Sequence, residues 1–182
     1  MISDRFTLAD GGSVLIRPIR PDDKARLEEG LRRLSVQTVR RRFLAAKPAF
    51  SQAELRYLTE VDHHSHIALV AIDEDGDLVA VARAVRVAPD TMEMAVVVGD
   101  HLQGQGLGRE LAARLSDLAQ EQGIRYFAAT MAGENLVARR LVQSVARRFE
   151  ERPPSGGLRE VRAELAPHEW HTHAGVGAPV AA

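Results

Sequence analysis

Apolar residues along the chain change period several times, and each change predicts an element. Val14, Ile16 and Ile19 suggest a first strand after the turn signal Asp10-Gly11-Gly12, stopped by Pro18 and Pro21. Residues 1 to 11 read as an irregular lead into it. Asp22 is then a candidate N-cap for a helix carrying Leu27, Leu31 and Leu34, and a second helix from Ser35 puts Val36, Val39 and Phe43 on one face. A third begins at Ser51, where Ser51 and Glu54 make a capping box before Leu55 and Leu58. The strand-like runs Ile67 to Ile72 and Leu78 to Val87 flank Asp73-Glu74-Asp75-Gly76-Asp77, which has hairpin chemistry. Pro89-Asp90 turns the chain into a further strand, Met92 to Val98, so these three runs predict an antiparallel meander. Leu107, Leu111, Leu115 and Leu118 then recur at helical spacing up to a stop at Gly123. Beyond it come a strand at Tyr126 to Thr130, a helix over Glu134 to Arg147 with Leu136, Leu141 and Val145 inward, the turn Pro153 to Gly157, and a last strand at Leu158 to Leu165. The order is an α+β layout, a mixed central sheet with one β-α-β unit.

The helix of that unit opens on Leu102-Gln103-Gly104-Gln105-Gly106-Leu107-Gly108-Arg109. Glycine costs a helix roughly 1 kcal/mol relative to alanine, so glycines at its mouth need a reason, and close backbone approach by a ligand supplies one. The first amides of a helix lack internal partners and carry the positive end of its dipole, which suits a pyrophosphate. A P-loop requires Gly-Lys-Ser/Thr where this chain has Gly108-Arg109-Glu110. A dinucleotide fingerprint requires a third glycine where Arg109 stands. The spacing Gln103-x-x-Gly106-x-Gly108 instead resembles the acetyl-CoA signature of the GNAT superfamily of N-acetyltransferases. Asp10 to Pro18, the Leu34-Ser35 step leading to Arg42-Phe43, and Met92 to Val98 extend the resemblance to the acetyltransferase domain of bacterial protein lysine acetyltransferases. It extends through Leu165 and leaves out the extreme N-terminus and the tail; one domain is expected over residues 1–166, followed by a tail, 167–182, whose Gly, Ala and Pro content predicts mobility. In that family the domain is often fused to a cyclic-nucleotide-binding or acyl-CoA-synthetase-like module, and neither fits here.

Composition changes this picture little. The 182 residues suit one domain, and a formal net charge of -1 gives no case for nucleic acid or an anionic membrane. The run Arg40-Arg41-Arg42 reads as one solvated helix face. Zero cysteines exclude disulfides, a thiolate nucleophile and thiolate-ligated zinc. With no signal peptide or long apolar run, a cytoplasmic location is expected. His63, His64 and His66 are expected in a solvated loop. His168, His171 and His173 fall in the tail with only Glu169 nearby, so no metal is expected.

Acetyl transfer to an amine needs a bound thioester, a polarised carbonyl and a base for the ammonium proton. The resemblance implies acetyl-CoA as co-substrate, its pyrophosphate on the backbone of Gln103, Gly104, Gln105, Gly106, Leu107, Gly108 and Arg109, and its pantetheine paired with Val96 and Val98. It also implies a glutamate base, Glu93, and a protein lysine acceptor, with a small amine as alternative. From the residues alone, Glu93 reads as a solvent-facing glutamate at the start of a strand; in the catalytic role, partial burial would raise its pKa. Asn135, opening Asn135-x-x-Ala138-x-x-Leu141, resembles the family asparagine that contacts the CoA arm, or it is an early-turn residue. Where the family often has Gly-Phe and a nearby tyrosine acid, this chain has Arg147-Arg148-Phe149 and no tyrosine after Tyr126. That leaves the acid step unassigned and a silent acyl-CoA sensor as a second class of function. Oligomeric state is not readable from the sequence.

Overall fold

The structure, a computed structural model, describes residues 3–167. Its strands are β1 (Asp4–Thr7), β2 (Ser13–Pro18), β3 (His66–Ile72), β4 (Leu78–Ala88), β5 (Thr91–Val98), β6 (Tyr126–Ala132), β7 (Ala146–Glu151) and β8 (Leu158–Leu165). Its helices are α1 (Lys24–Arg33), α2 (Val36–Phe43), α3 (Gln52–Thr59), α4 (Leu107–Glu121) and α5 (Leu136–Gln143). Among the described residues the strands form one eight-stranded sheet in the order β1-β2-β3-β4-β5-β6-β8-β7. Only β5 and β6 pair in parallel, with α4 as their crossover. This is the expected meander followed by a β-α-β unit.

Alternation along β3 shows how the sheet is covered. Ile67, Leu69 and Ala71 face α4, where Leu107, Leu111, Leu115 and Ala119 pack, while Ala68, Val70 and Ile72 join Leu27 of α1 and Leu55 of α3. Every residue of β3 is buried because both faces carry helices. In β5, Met92 and Met94 belong to the α4 side and Val97 to the other, which fixes the direction of Glu93 between them.

Several expectations change. β1 lies in the stretch read as irregular; it is short, mostly exposed and defined by its ladder to β2 rather than by its own pattern. Asp22 does not cap α1. A 3-10 turn at Pro21–Asp23 precedes the helix, and the fully buried Asp23 accepts from the Arg17 guanidinium at 2.7 and 2.7 Å and from the Arg20 N–H at 2.9 Å. Ser51 caps α3 as read, with its full capping box, and Ser35, read as the start of the second helix, is the cap of α2. The inward residue of α2 is Thr38, and Val36 is 77% exposed. The Asp100 carboxylate sets this rotation by accepting from the Ser35 N–H, the Ser35 hydroxyl and the Thr38 hydroxyl at 2.8, 2.7 and 2.7 Å. Burial pushes that carboxyl up, but these hydrogen bonds outweigh it and hold it below its ordinary value. The helix expected to run to Arg147 ends at Gln143. Ala146–Glu151 is instead the edge strand β7, whose Arg148 and Glu150 face Glu164 and Arg162 of β8. The expected tail lies, after Pro167, outside the described residues, as do its histidines.

His66 is not solvated. Only 8% exposed, it accepts at Nε2 from Arg83 Nη1 at 3.0 Å, so Nδ1 carries the proton in the neutral ring. Burial and then the Arg83 charge lower its pKa from 6.5 to about 4. The unfolded chain therefore binds an extra proton between these values, and stability falls as pH drops from about 6.5 towards 4. His66→Gln keeps an acceptor for Arg83 and should flatten this acid-side slope. Parallel melting temperature profiles for the two proteins would remove His66 from it.

Candidate active site

β5 and β6 pair only from Thr91↔Tyr126 to Glu93↔Ala128 and then part. β5 stays bonded to β4 out to Val98, so strand alternation turns part of the backbone of Met94 to Val98 into the wedge between the parting strands. A cleft of about 920 Å³ fills this wedge and runs from Glu93 at its apex to the start of α4 at its mouth, with α5 as a wall.

The mouth is built by the glycines. Gly104 and Gly106 hold φ of +82° and +86°, which side chains rarely tolerate, and Gly106 occupies the N-cap position of α4 with no side chain bonded to the first amides. The loop is held at both ends. Gln103 Nε2 donates to the Val98 carbonyl at 3.1 Å and the Thr38 hydroxyl at 3.3 Å, while Gln105 Oε1 accepts from the Asp10 N–H at 3.1 Å. The first amides of this 15-residue helix thus carry no side-chain cap, and the carboxylate in its first turn, Glu110, accepts from Arg114 Nε at 2.7 Å.

The acetyltransferase (GNAT) family model matches residues 28–146. The chain belongs to the GNAT acetyltransferase family. Over 123 residues, 65% of this chain, it is 37% identical to an acetyltransferase of Pseudomonas aeruginosa, and the match spans 66% of that protein. Over 130 residues, 70% of this chain, it is 35% identical to the acetyltransferase Pat of Mycolicibacterium smegmatis, of which the match spans 39%. The GNAT domain of S. lividans PAT superposes with a TM-score of 0.81 at 26% identity, covering 90% of this chain and 97% of that one.

The GNAT cleft gathers most of the residues singled out from the sequence. Glu93, Val96, Val98, Gln103, Gly104, Gly106, Gly108, Arg109 and Asn135 line it. Leu107 does not, being fully buried against the sheet, and the Gln105 side chain is spent on Asp10. Asn135 Oδ1 accepts from the Ala138 N–H at 3.1 Å, so the residue caps α5 while lining the cleft. Glu93 is exposed rather than partly buried, although its backbone is flanked by Val85 of β4 and Ala128 of β6.

The basic run of α2 is not one solvated face. Arg40 and Arg41 are exposed, the latter at the cleft edge, but Arg42 is half-buried and lines the cleft with Tyr57 of α3 and Arg83 of β4. These three were missed. The one signal in the sequence was an arginine inside an otherwise apolar strand, Ala82-Arg83-Ala84.

Proposed function

We propose that this GNAT chain transfers the acetyl group of acetyl-CoA to a protein lysine, with Glu93 as general base. The observation that carries this reading is the fork itself, with a carboxylate at the apex and uncapped helix amides at the mouth. The amides at Gly106 to Arg109 hold the pyrophosphate. The free edge of β5 at Val96 and Val98 pairs with the amide-bearing pantetheine arm, which brings the thioester to Glu93. Glu93 takes the ammonium proton, directly or through a water, so the neutral amine attacks the thioester carbonyl. The carbon–sulfur bond then breaks, the nitrogen gives up its second proton to solvent as the amide forms, and the CoA thiolate takes a proton from solvent. A polypeptide acceptor suits the cleft rim, where Leu44, Tyr57 and Val87 are 40%, 57% and 57% exposed.

Isotope-labelled acetyl-CoA and the protein, added to a bacterial lysate, should place label on the Nε of protein lysines, read by peptide mass spectrometry. Label confined to the small-molecule fraction would replace the acceptor with a small amine. Acetyl-CoA binding with no label in either fraction would make the chain an acyl-CoA sensor.

A further inference from the structure

Two guanidinium groups on the acceptor side of the cleft lack a buried counter-charge. Arg83 stands in the middle of β4, two residues from Val85, which pairs with Glu93 across the ladder. Strand alternation puts Arg83 and Glu93 on one face, and such diagonal neighbours lie roughly 7–8 Å apart. Arg83 is 6% exposed, yet its bonds go to a neutral ring and a peptide carbonyl: Nη1 to His66 at 3.0 Å and Nη2 to the Leu58 carbonyl at 3.3 Å. Among the described residues no carboxylate bonds it; Arg42 repels its charge and Tyr57 favours it. Arg42, at the end of α2, lies 5.0 Å from the centre of the Phe43 ring, and the carboxylate that acts on it is the exposed Glu93.

A buried cation with no carboxylate beside it costs several kcal/mol, so a fold that keeps Arg83 beside a cleft, with the half-buried Arg42 near it, is organised for an anion that arrives with something else. That anion is not the CoA pyrophosphate, whose proposed cradle is at the other end of the cleft on α4. It belongs to the molecule whose amine reaches Glu93. We infer that Arg83 and Arg42 form a carboxylate-binding subsite of the acceptor site, so that preferred acceptors are amines carrying a carboxylate within a side chain's reach of the nitrogen. This rests on the acetyltransferase reading above. The shared chemistry is the carboxylate, supplied by an acidic residue beside a target lysine or by the α-carboxylate of a free amino acid. Burial supports the assignment: it lowers the pKa of both arginines, that of Arg83 to about 10, as expected of cations that a bound anion would stabilise.

The test compares paired acceptors. One arm uses lysine peptides that differ only in Glu or Gln beside the lysine, and the other uses free lysine against lysine amide. In at least one arm the acidic member should have kcat/KM roughly 10-fold or more above its partner, mainly through KM, as a charge-assisted pair gives. The ratio should collapse towards one in Arg83→Met and Arg42→Gln and be kept in part by Arg83→Lys. Arg42→Gln, on a helix surface, covers the case in which Arg83→Met does not fold. Equal kcat/KM within both pairs overturns the subsite. A calorimetric titration with glutarate reads the same subsite without turnover: saturable binding weakened by Arg42→Gln supports it, and none overturns it. Because the titration needs no acetyl transfer, the subsite and the acetyltransferase reading fail separately.

Discussion

Gly106→Asp is expected to weaken acetyl-CoA binding by roughly 10²-fold or more, since like-charge contact in a binding site costs several kcal/mol. Gly106 is the N-cap residue of α4, so an aspartate there brings a negative charge to the amides proposed to hold the pyrophosphate and competes for them. Its φ of +86° adds backbone strain, but a Cβ at that position would meet only Phe6, at an ordinary 3.7 Å. The strain is roughly 1–2 kcal/mol, and aspartate is among the side chains that tolerate this region. Gly106→Ala carries the strain without the charge and should keep more of the affinity. Calorimetry with both variants, alongside their melting temperatures, separates the two contributions. Unchanged affinity in the aspartate variant would sink the pyrophosphate assignment.

Glu93→Gln should lower turnover by roughly 10²-fold or more while acetyl-CoA affinity holds, as expected when a general base is lost. Glutamine fills the same space at an exposed position, so folding should survive. Raising the pH increases the fraction of amine that is already neutral, and the deficit should shrink towards alkaline pH. A variant damaged in binding would stay equally impaired at every pH. Because Glu93 is exposed, its role as a base rests on its place at the fork and on access to the amine, not on a desolvated carboxyl. Wild-type turnover at neutral pH would return Glu93 to a surface role.

What the sequence made legible is what neighbours in sequence decide. The capping box at Ser51 and Glu54, the Asp73 to Asp77 turn and the amphipathic α4 are local, and each forms where its residues predict. The glycine loop was legible because helix-breaking residues stand where only a ligand or a special φ explains them. Contacts between distant elements were not. β1 and β7 are edge strands that exist through their partners, and Val145 imitates helical spacing while it is buried just past the end of α5. Thr38 turns inward because Asp100 lies 62 residues away in sequence and accepts its hydroxyl. Arg42 looks like one of three similar surface cations until the packing of α2 on the sheet half-buries it and leaves Arg40 and Arg41 exposed.

One measurement reads acetyl transfer at the fork between β5 and β6 directly. Acetyl-CoA is mixed with a lysine peptide, and free CoA thiol is followed in parallel with acetylated peptide for the wild type and Glu93→Gln. The account predicts equal molar release of thiol and formation of acetyl-lysine by the wild type, with both rates falling together in the variant. Acetyl-CoA bound at the cleft with no thiol released, for this and every other amine offered, would contradict it.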